Sequence, residues 1–245
     1  MNGLSNRTIA IVFDLDQTIG DFSAISMLKD CVDNLYTILN LNKLSNKNVF
    51  DMFDLFPEMF RYNIFNILNQ IHIANQVGFK IRVYIYTNNN RHKDWTQLIA
   101  DYISYKLGFN VFTYIVAAYK VDNVQMEPGR TTYEKTLEDL LRCTGLTNDD
   151  RICFIDDVYH HKMRQPNVYY IKIAPYMHAF NFYDMVKKYH TKYLTSISIG
   201  NFTKFINNLG YSISNNTKTK RDIENDIHNS DTLTNCINRF IRNNK

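Results

Sequence analysis

The stretch Ile11–Gly20, IVFDLDQTIG, decides the fold prediction. Its apolar residues run directly into two acids, Asp14 and Asp16, and Thr18 follows two positions after the second acid. The overlapping run Thr8–Phe13 is apolar and β-branched, which is typical of a strand covered on both faces. Because a buried strand does not end in two negative charges without compensation, this stretch indicates a cation at the strand end.

Four further apolar runs alternate with helical patterns. The strands predicted after the first are Ile81–Tyr86, Val111–Ala117, Arg151–Ile155 and Val168–Ile173. Apolar residues recur at helical spacing within Ile64–Ala74, Trp95–Ile103 and Leu137–Leu141. Alternating strands and helices predict an α/β protein in which helices flank a central parallel sheet.

Polar side chains follow three of the predicted strands. Asp14 and Asp16 follow the first, Thr87 the second, and Asp156 and Asp157 the fourth. Ligands of open parallel sheets bind beyond the carboxyl ends of the strands, so these residues are predicted to converge on one edge. Clustered carboxylates need a cation, and oxygen ligands without histidine or cysteine favour Mg²⁺ over zinc. Helix capping by loop acids is the alternative, but two acidic motifs on separate strands favour a metal site.

The order of these motifs resembles a known superfamily. An apolar strand with DxDxT, a strand followed by Thr, a later Lys and a strand with DD are similar to the haloacid dehalogenase (HAD) superfamily, over roughly residues 8–175. The segments RYNIFNIL (61–68) and EKTLEDL (134–140) resemble the NLI-interacting-factor-like phosphatases, of the type found in large DNA viruses. The resemblance implies a three-layer Rossmann-like fold with a small helical insert after the first strand.

The resemblance also implies roles for the acids. Asp14 would be the nucleophile that forms an aspartyl-phosphate, and Asp16 would be the general acid and base. Asp14, Asp16, Asp156 and Asp157 would hold the Mg²⁺, with Asp16 contributing its backbone carbonyl. The closest carboxy-terminal-domain phosphatases of RNA polymerase have Asn where this chain has Asp157, a change that keeps an oxygen ligand.

Three residues are expected to bind the phosphoryl group. The resemblance assigns the hydroxyl of Thr87 and the amide of Asn88 to this role; a strand-end Thr ahead of a helix is the alternative for Thr87. The fixed cation is assigned to Lys135, which precedes the helix leading into the IDD strand. Lys120, just after the third strand, stays open as the rival. Arg130 is interpreted as a solvated side chain, with an anionic group of the substrate as its alternative partner.

Two segments stand apart from the alternating pattern. Residues 21–58 are interpreted as a helical insert or small cap within a catalytic domain spanning residues 1–211. Residues 212–245 are interpreted as a polar linker, Ser212–Asn229, followed by a short helix over Thr232–Arg242. His160 and His161 follow the last acidic motif and are interpreted as surface residues, with a role in the site as the alternative.

Composition narrows the class of protein. Hydrophobic residues make up 45% and charged residues 21% of the 245 positions, which are globular values, and the net charge of +4 does not indicate a nucleic-acid partner. Four scattered cysteines read as free thiols in a reducing compartment. The first residues do not show a basic stretch followed by an apolar one, which is not the pattern of a secretory signal, and the longest apolar run is too short to span a bilayer; the expected location is therefore the cytoplasm or nucleus, including that of a virus-infected host cell. The oligomeric state is left open.

The motifs together predict a Mg²⁺-dependent phosphatase that hydrolyses phosphomonoesters. Phosphoserine or phosphothreonine segments of proteins are the expected substrates, because the predicted cap is small. The alternatives are a phosphatase of a small phosphometabolite, a phosphatase of a nucleic-acid end, and a HAD-like binding module without catalysis. Loss of an acid or of the lysine would indicate the last of these, and all are present.

Overall fold

The computed structural model of the protein describes residues 7–91, 93–210 and 217–244. The strands of this part are β1 (Ile9–Phe13), β2 (Ile81–Tyr86), β3 (Tyr114–Val116), β4 (Lys120–Val121), β5 (Val124–Gln125), β6 (Arg151–Asp156) and β7 (Val168–Lys172). The helices are α1 (Ser23–Ile38), α2 (Asn46–Leu55), α3 (Ile64–Gln76), α4 (Lys93–Leu107), α5 (Leu137–Thr144), α6 (Phe182–Tyr193), α7 (Ile199–Asn208) and α8 (Lys220–Asn243). The chain divides into two compact units.

The first unit, residues 1–19, 61–176 and 225–245, contains the central sheet. Its five strands are all parallel and lie in the order β3-β2-β1-β6-β7. The α/β prediction is therefore confirmed, with a Rossmann-like strand order. The chain forms β2 and β3 on one side of β1 and then crosses over to form β6 and β7 on the other side. The order reverses between β1 and β6, and this switch point is where such sheets bind ligands.

Both faces of this sheet are covered. On one face, Ala10 and Val12 of β1 form a buried core with Leu140 of α5. Val168 and Tyr170 of β7 pack against this same core. Because successive side chains of a strand point to opposite faces, Tyr169 between them lies on the other face. There Phe240 of α8 stacks on Tyr169, with ring centroids 5.5 Å apart. Helices on both faces explain why every residue of β1 is buried.

The second unit, residues 20–60 and 177–224, is helical. It contains α1 and α2, which form the predicted insert after the first strand, and a capping box at Ser45 begins α2. The helices α6 and α7, which the sequence analysis assigned to the larger domain, belong to the same unit. The Nζ atom of Lys188 donates to the Leu55 carbonyl (2.6 Å), and Phe56 packs edge-on against Phe180.

The C-terminal segment differs from its prediction. The region interpreted as a polar linker up to Asn229 is helical from Lys220 onward, and the expected short helix over Thr232–Arg242 is the second half of α8. Asp222 and Thr219 cap the helix reciprocally, and its apolar end is buried. Because helices propagate cooperatively, a packed end and a capped start carry the polar stretch between them. The predicted boundary at residues 211 and 212 lies outside the described residues and stays a prediction.

Two predictions made from the sequence concern the cysteines and membrane-spanning segments. Cys31, Cys143, Cys153 and Cys236 all carry free thiols. No helix in the described ranges combines the length and the apolar character that crossing a membrane requires.

Candidate active site

Two acids lie side by side where the strand order reverses. Asp14 directly follows β1, and Asp156 is the last residue of β6. The two strands are paired in register, and the Asp14 backbone N–H donates to the Ile155 carbonyl (2.9 Å). Asp14 is 6% exposed and Asp156 is 1% exposed. The sheet therefore holds two buried carboxyl groups at its carboxyl edge.

Lys135 lies between these two carboxyl groups. Its Nζ atom donates to Asp14 Oδ1 (2.5 Å) and to Asp156 Oδ2 (2.7 Å), and the residue is 2% exposed. The side chain of Thr136 caps α5, so Lys135 is held just ahead of the helix. The Nζ atom of Lys135 lies 5.8 Å from the centroid of the Tyr86 ring. The sequence predicted positive charge at this strand end, and the ammonium group of Lys135 supplies positive charge there.

Lys135, Asp14 and Asp156 bring one ammonium group together with two carboxyl groups, so their charges do not balance. Burial raises the pKa of Asp14 to about 7, although the Lys135 ammonium acts in the opposite direction. Burial also disfavours the charged form of Asp156, but a hydrogen bond from His160 and the charge of Lys135 outweigh it and lower the pKa of Asp156. Burial opposes the charge of Lys135 as well, yet the two carboxylates raise its pKa. Two carboxylates compete for one ammonium, so a second cation would favour full ionisation of Asp14.

A third acid completes a possible metal site. Asp14, Asp156 and Asp157 each offer an oxygen, and these atoms lie within 4.8 Å of one another. Thr18 orients Asp157: its Oγ1 atom is 3.2 Å both from Asp157 Oδ1 and from the Asp157 backbone N–H. Burial, followed by the charge of Asp156, raises the pKa of Asp157. An all-oxygen donor set fits Mg²⁺.

Asp16 lies outside that group of three carboxylates. Its Oδ2 atom accepts a hydrogen bond from Asn89 Nδ2 (2.7 Å), and the residue is only half-buried. The side chain is thus held at the end of β2, where water can reach it. The resemblance assigned the backbone carbonyl of Asp16 to the metal, and that assignment stays a prediction.

A buried arginine holds the turn that follows Asp16. Arg61 is 2% exposed and donates from Nε to the Thr18 carbonyl (2.5 Å) and from Nη2 to the carbonyls of Gln17 (2.7 Å) and Ala174 (2.8 Å). Burial lowers the pKa of Arg61 to about 10. Gln17 has a positive φ of 58°, a conformation that costs energy for a residue other than glycine. Arg61 was not predicted to belong to the site, because nothing in the sequence distinguishes it from a surface arginine.

The loop after β2 carries the predicted phosphate-binding residues. Thr87 is 1% exposed, and its Oγ1 atom accepts the Asn89 backbone N–H (2.9 Å), which leaves the hydroxyl proton available as a donor. The helix that follows begins only at Lys93, so Thr87 does not open it. The Asn88 side chain donates to the Tyr133 carbonyl (3.0 Å), so a contact to phosphate is left to its backbone amide.

The two candidate lysines lie in different surroundings. Lys120 is in β4 of a small hairpin, with its ammonium 5.0 Å from the centroid of the Tyr119 ring. Lys135 is in contact with Asp14 and Asp156. The position of Lys135 favours it as the fixed cation of the site.

Two residues that the sequence analysis placed in solvent lie elsewhere. Arg130 is not solvated: it is 1% exposed, and it donates to the Thr87 carbonyl (3.1 Å). His160 lies beside the site, with Nε2 at 3.4 Å from Asp156 Oδ2, while its backbone N–H donates to the Tyr170 hydroxyl (2.9 Å). His161 is a surface residue that pairs with Glu134.

Comparisons with known proteins give a sparse result. No family model matches the chain, and no curated protein matches it. Among solved structures, the chain is similar to a HAD-superfamily hydrolase of subfamily IA from Geobacter sulfurreducens, at 13% identity over 62% of this chain and 80% of the other, with a TM-score of 0.30. It is also similar to the HAD-hydrolase YfnB from Bacillus subtilis, a structure bound to magnesium, at 15% identity over 76% and 98% of the two chains, with a TM-score of 0.29. The superfamily of both neighbours is the one that the sequence motifs resemble, but the structural likeness is weak.

Proposed function

We propose that the protein is a HAD-type phosphatase that hydrolyses phosphomonoesters with Mg²⁺ as cofactor. The observation that carries this proposal is the buried contact of Lys135 with both Asp14 and Asp156 at the switch point of the sheet. A carboxylate that is held by a lysine at an open strand edge suits nucleophilic attack on phosphorus. Asp14, Asp156 and Asp157 would hold the ion, which would neutralise negative charge between nucleophile and phosphate.

The first half of the reaction transfers the phosphoryl group to Asp14. An oxygen of the Asp14 carboxylate attacks phosphorus, the bond from phosphorus to the leaving oxygen breaks, and Asp16 gives its proton to that oxygen. Lys135 and the hydroxyl of Thr87 donate to the phosphoryl oxygens as their charge grows. Asn89 orients Asp16 for this step through its 2.7 Å hydrogen bond.

The second half regenerates the enzyme. Asp16, now ionised, takes a proton from a water molecule whose oxygen attacks phosphorus. The bond between phosphorus and the Asp14 oxygen breaks, so that phosphate leaves and Asp14 is again a carboxylate. The partial exposure of Asp16 suits this role, because the general base has to meet water.

The proposed substrates are phosphoserine or phosphothreonine segments of proteins. The residues next to the site in the chain are open to solvent: Tyr133 is 60%, Val158 55% and Tyr159 50% exposed. An exposed rim with aromatic side chains suits an extended polypeptide more than a small metabolite, which would be enclosed. Lys135, Asp14 and Asp156 themselves are buried.

Turnover of an aryl phosphate tests the reaction. The purified protein should release phosphate with added Mg²⁺, lose activity in a chelator and lose it in Asp14→Asn. Asp101→Asn, which changes an exposed acid on α4, is the matched control and should behave as wild type. Wild-type turnover in Asp14→Asn would refute the covalent mechanism.

A substrate panel tests the class of substrate. Phosphoserine and phosphothreonine peptides, phosphometabolites and a 3′-phosphorylated oligonucleotide are compared at equal concentration by kcat/KM. Highest kcat/KM for the peptides supports the proposal, and highest values for either other group refute it. Trapping with beryllofluoride should place the adduct on Asp14.

A further inference from the structure

Arg130 connects two loops of the site. From Nη1 it donates to the Thr87 carbonyl (3.1 Å), to Asn88 Oδ1 (2.7 Å) and to the Ala117 carbonyl (3.0 Å). These acceptors lie at the carboxyl ends of β2 and β3. One terminal nitrogen of the guanidinium group is therefore bound to the loop that presents Thr87.

The second terminal nitrogen is bound to the other loop. Nη2 donates to the carbonyls of Thr132 (3.2 Å), Tyr133 (3.1 Å) and Glu134 (3.3 Å), the residues directly before Lys135. Because the guanidinium group is planar and rigid, its two nitrogens fix the distance between the loops. The hydrogen bond from Asn88 Nδ2 to the Tyr133 carbonyl (3.0 Å) joins the same loops independently.

The surroundings of Arg130 indicate a function in positioning. The residue is 1% exposed, its six acceptors are neutral, and its guanidinium carbon lies 5.0 Å from the centroid of the Tyr86 ring. Burying a charge is costly, and a well-packed apolar side chain often stabilises a core at least as much. What the charged, planar group adds is a defined geometry, since both terminal nitrogens hold loop acceptors, while Nε has no hydrogen-bond partner among the described residues.

We propose that Arg130 is a positioning residue, which sets Lys135 at the correct distance from the Thr87 loop. This proposal rests on the proposed function, because Lys135 and Thr87 act together there on the phosphoryl oxygens. The hydrogen bonds of Arg130 go to the two loops and not to the three carboxylates of the metal site. Replacing it should therefore change the rate of the chemical step more than the binding of substrate or Mg²⁺.

Steady-state kinetics of Arg130→Met and Arg130→Lys test this role. Misplacing a catalytic group by about 1 Å costs roughly 100-fold in rate, so kcat should fall by about that factor in Arg130→Met with little change in KM. Arg142→Met is the matched control: Arg142 also donates to a carbonyl of this segment, that of Gly129 (3.0 Å), but its side chain is 49% exposed and its kcat should stay at the wild-type value.

Amide hydrogen exchange provides a readout that needs no activity. In Arg130→Met, exchange should speed up together in residues 87–90 and 131–135, while α5 keeps its protection. A wild-type kcat in Arg130→Met, or unchanged exchange in both loops, would overturn the proposal. If Arg130→Met does not fold, Arg130→Lys decides alone, because one ammonium cannot bridge both loops: a wild-type kcat there overturns the proposal and a reduced one supports it. If the wild-type protein hydrolyses no phosphate ester, the proposed function fails, and the joint change in exchange still decides whether Arg130 couples the loops.

Discussion

Replacing Lys135 by methionine tests the centre of the site, because methionine keeps most of the volume and removes the charge. In the wild type the ammonium lies 2.5 Å from Asp14 Oδ1 and 2.7 Å from Asp156 Oδ2, and the three residues are at most 6% exposed. Breaking a buried ion pair on one side costs about 3–5 kcal/mol, because the remaining charge is left without compensation. For a chain of this length, each kcal/mol shifts Tm by about 2–4 °C, so Tm should fall by roughly 6–20 °C.

The loss of stability in Lys135→Met should depend on pH. Burial already raises the pKa of Asp14 to about 7, and removing Lys135 raises it further above the value in the unfolded chain. A folded state with the higher pKa binds the proton first, so stability is retained at low pH and lost as pH rises through the folded pKa. Thermal unfolding followed at pH values below and above 7 should show the smaller decrease in Tm on the acidic side. Equal decreases at both would refute the assignment of Lys135 to Asp14.

Activity provides the second readout of the same variant. Losing one donor to developing phosphoryl charge costs about 10²–10³ in kcat. Lys120→Met is the matched control, because Lys120 contacts the Tyr119 ring and lies on a short hairpin. Its Tm and kcat should stay near the wild-type values. If Lys120→Met abolished phosphate release and Lys135→Met did not, the assignment of the fixed cation would be wrong.

Three further predictions follow from other contacts. Mg²⁺ at a hundredfold excess over its Kd should stabilise the wild type by about 2.7 kcal/mol. Asp157→Asn should reduce this shift in thermal unfolding, and a shift that survives a chelator would contradict the metal site. Phe240→Ala, which truncates a 6% exposed side chain of α8, should lower the free energy of unfolding in urea by about 3–5 kcal/mol. Ile223→Ala, at a 50% exposed position of the same helix, should change it by at most about 0.5 kcal/mol, and equal effects would show that α8 is not packed as described. Burial lowers the pKa of His178 below 6.5 although Asp21 opposes it, so the unfolded chain takes up the proton first. In urea unfolding, the difference in free energy of unfolding between the wild type and His178→Gln should therefore be constant above pH 6.5 and change against the wild type below it, and a difference that does not vary with pH would refute this.

Local patterns account for what could be predicted. Short apolar runs specify strands because both faces of a parallel sheet are buried, and all five predicted strands are present. The spacing of apolar residues gave α3, α4 and α5 in the same way. The acids after β1 and β6 could be placed on one edge without coordinates, since parallel strands share one carboxyl edge.

The contacts that the sequence left open are those made across long stretches of chain. Lys135 and Asp14 are 121 residues apart, and the sequence left Lys120 open as an alternative to Lys135. Only the tertiary structure shows that the ammonium group of Lys135, just before α5, contacts the acids. Likewise, the sequence shows that α8 is polar, but its helical start depends on a cap and on burial of its far end.

The two buried arginines show the physical limit most clearly. Arg61 and Arg130 donate mainly to backbone carbonyls, which every residue carries. Because these acceptors are backbone atoms, no pattern of side chains in the sequence shows which residues the two arginines contact. The sequence by itself determined which strands form and which acids follow them, because periodicity and strand direction are local properties. Only the tertiary structure decided which cations the site uses and how its loops are held, because those depend on where distant backbone atoms come together.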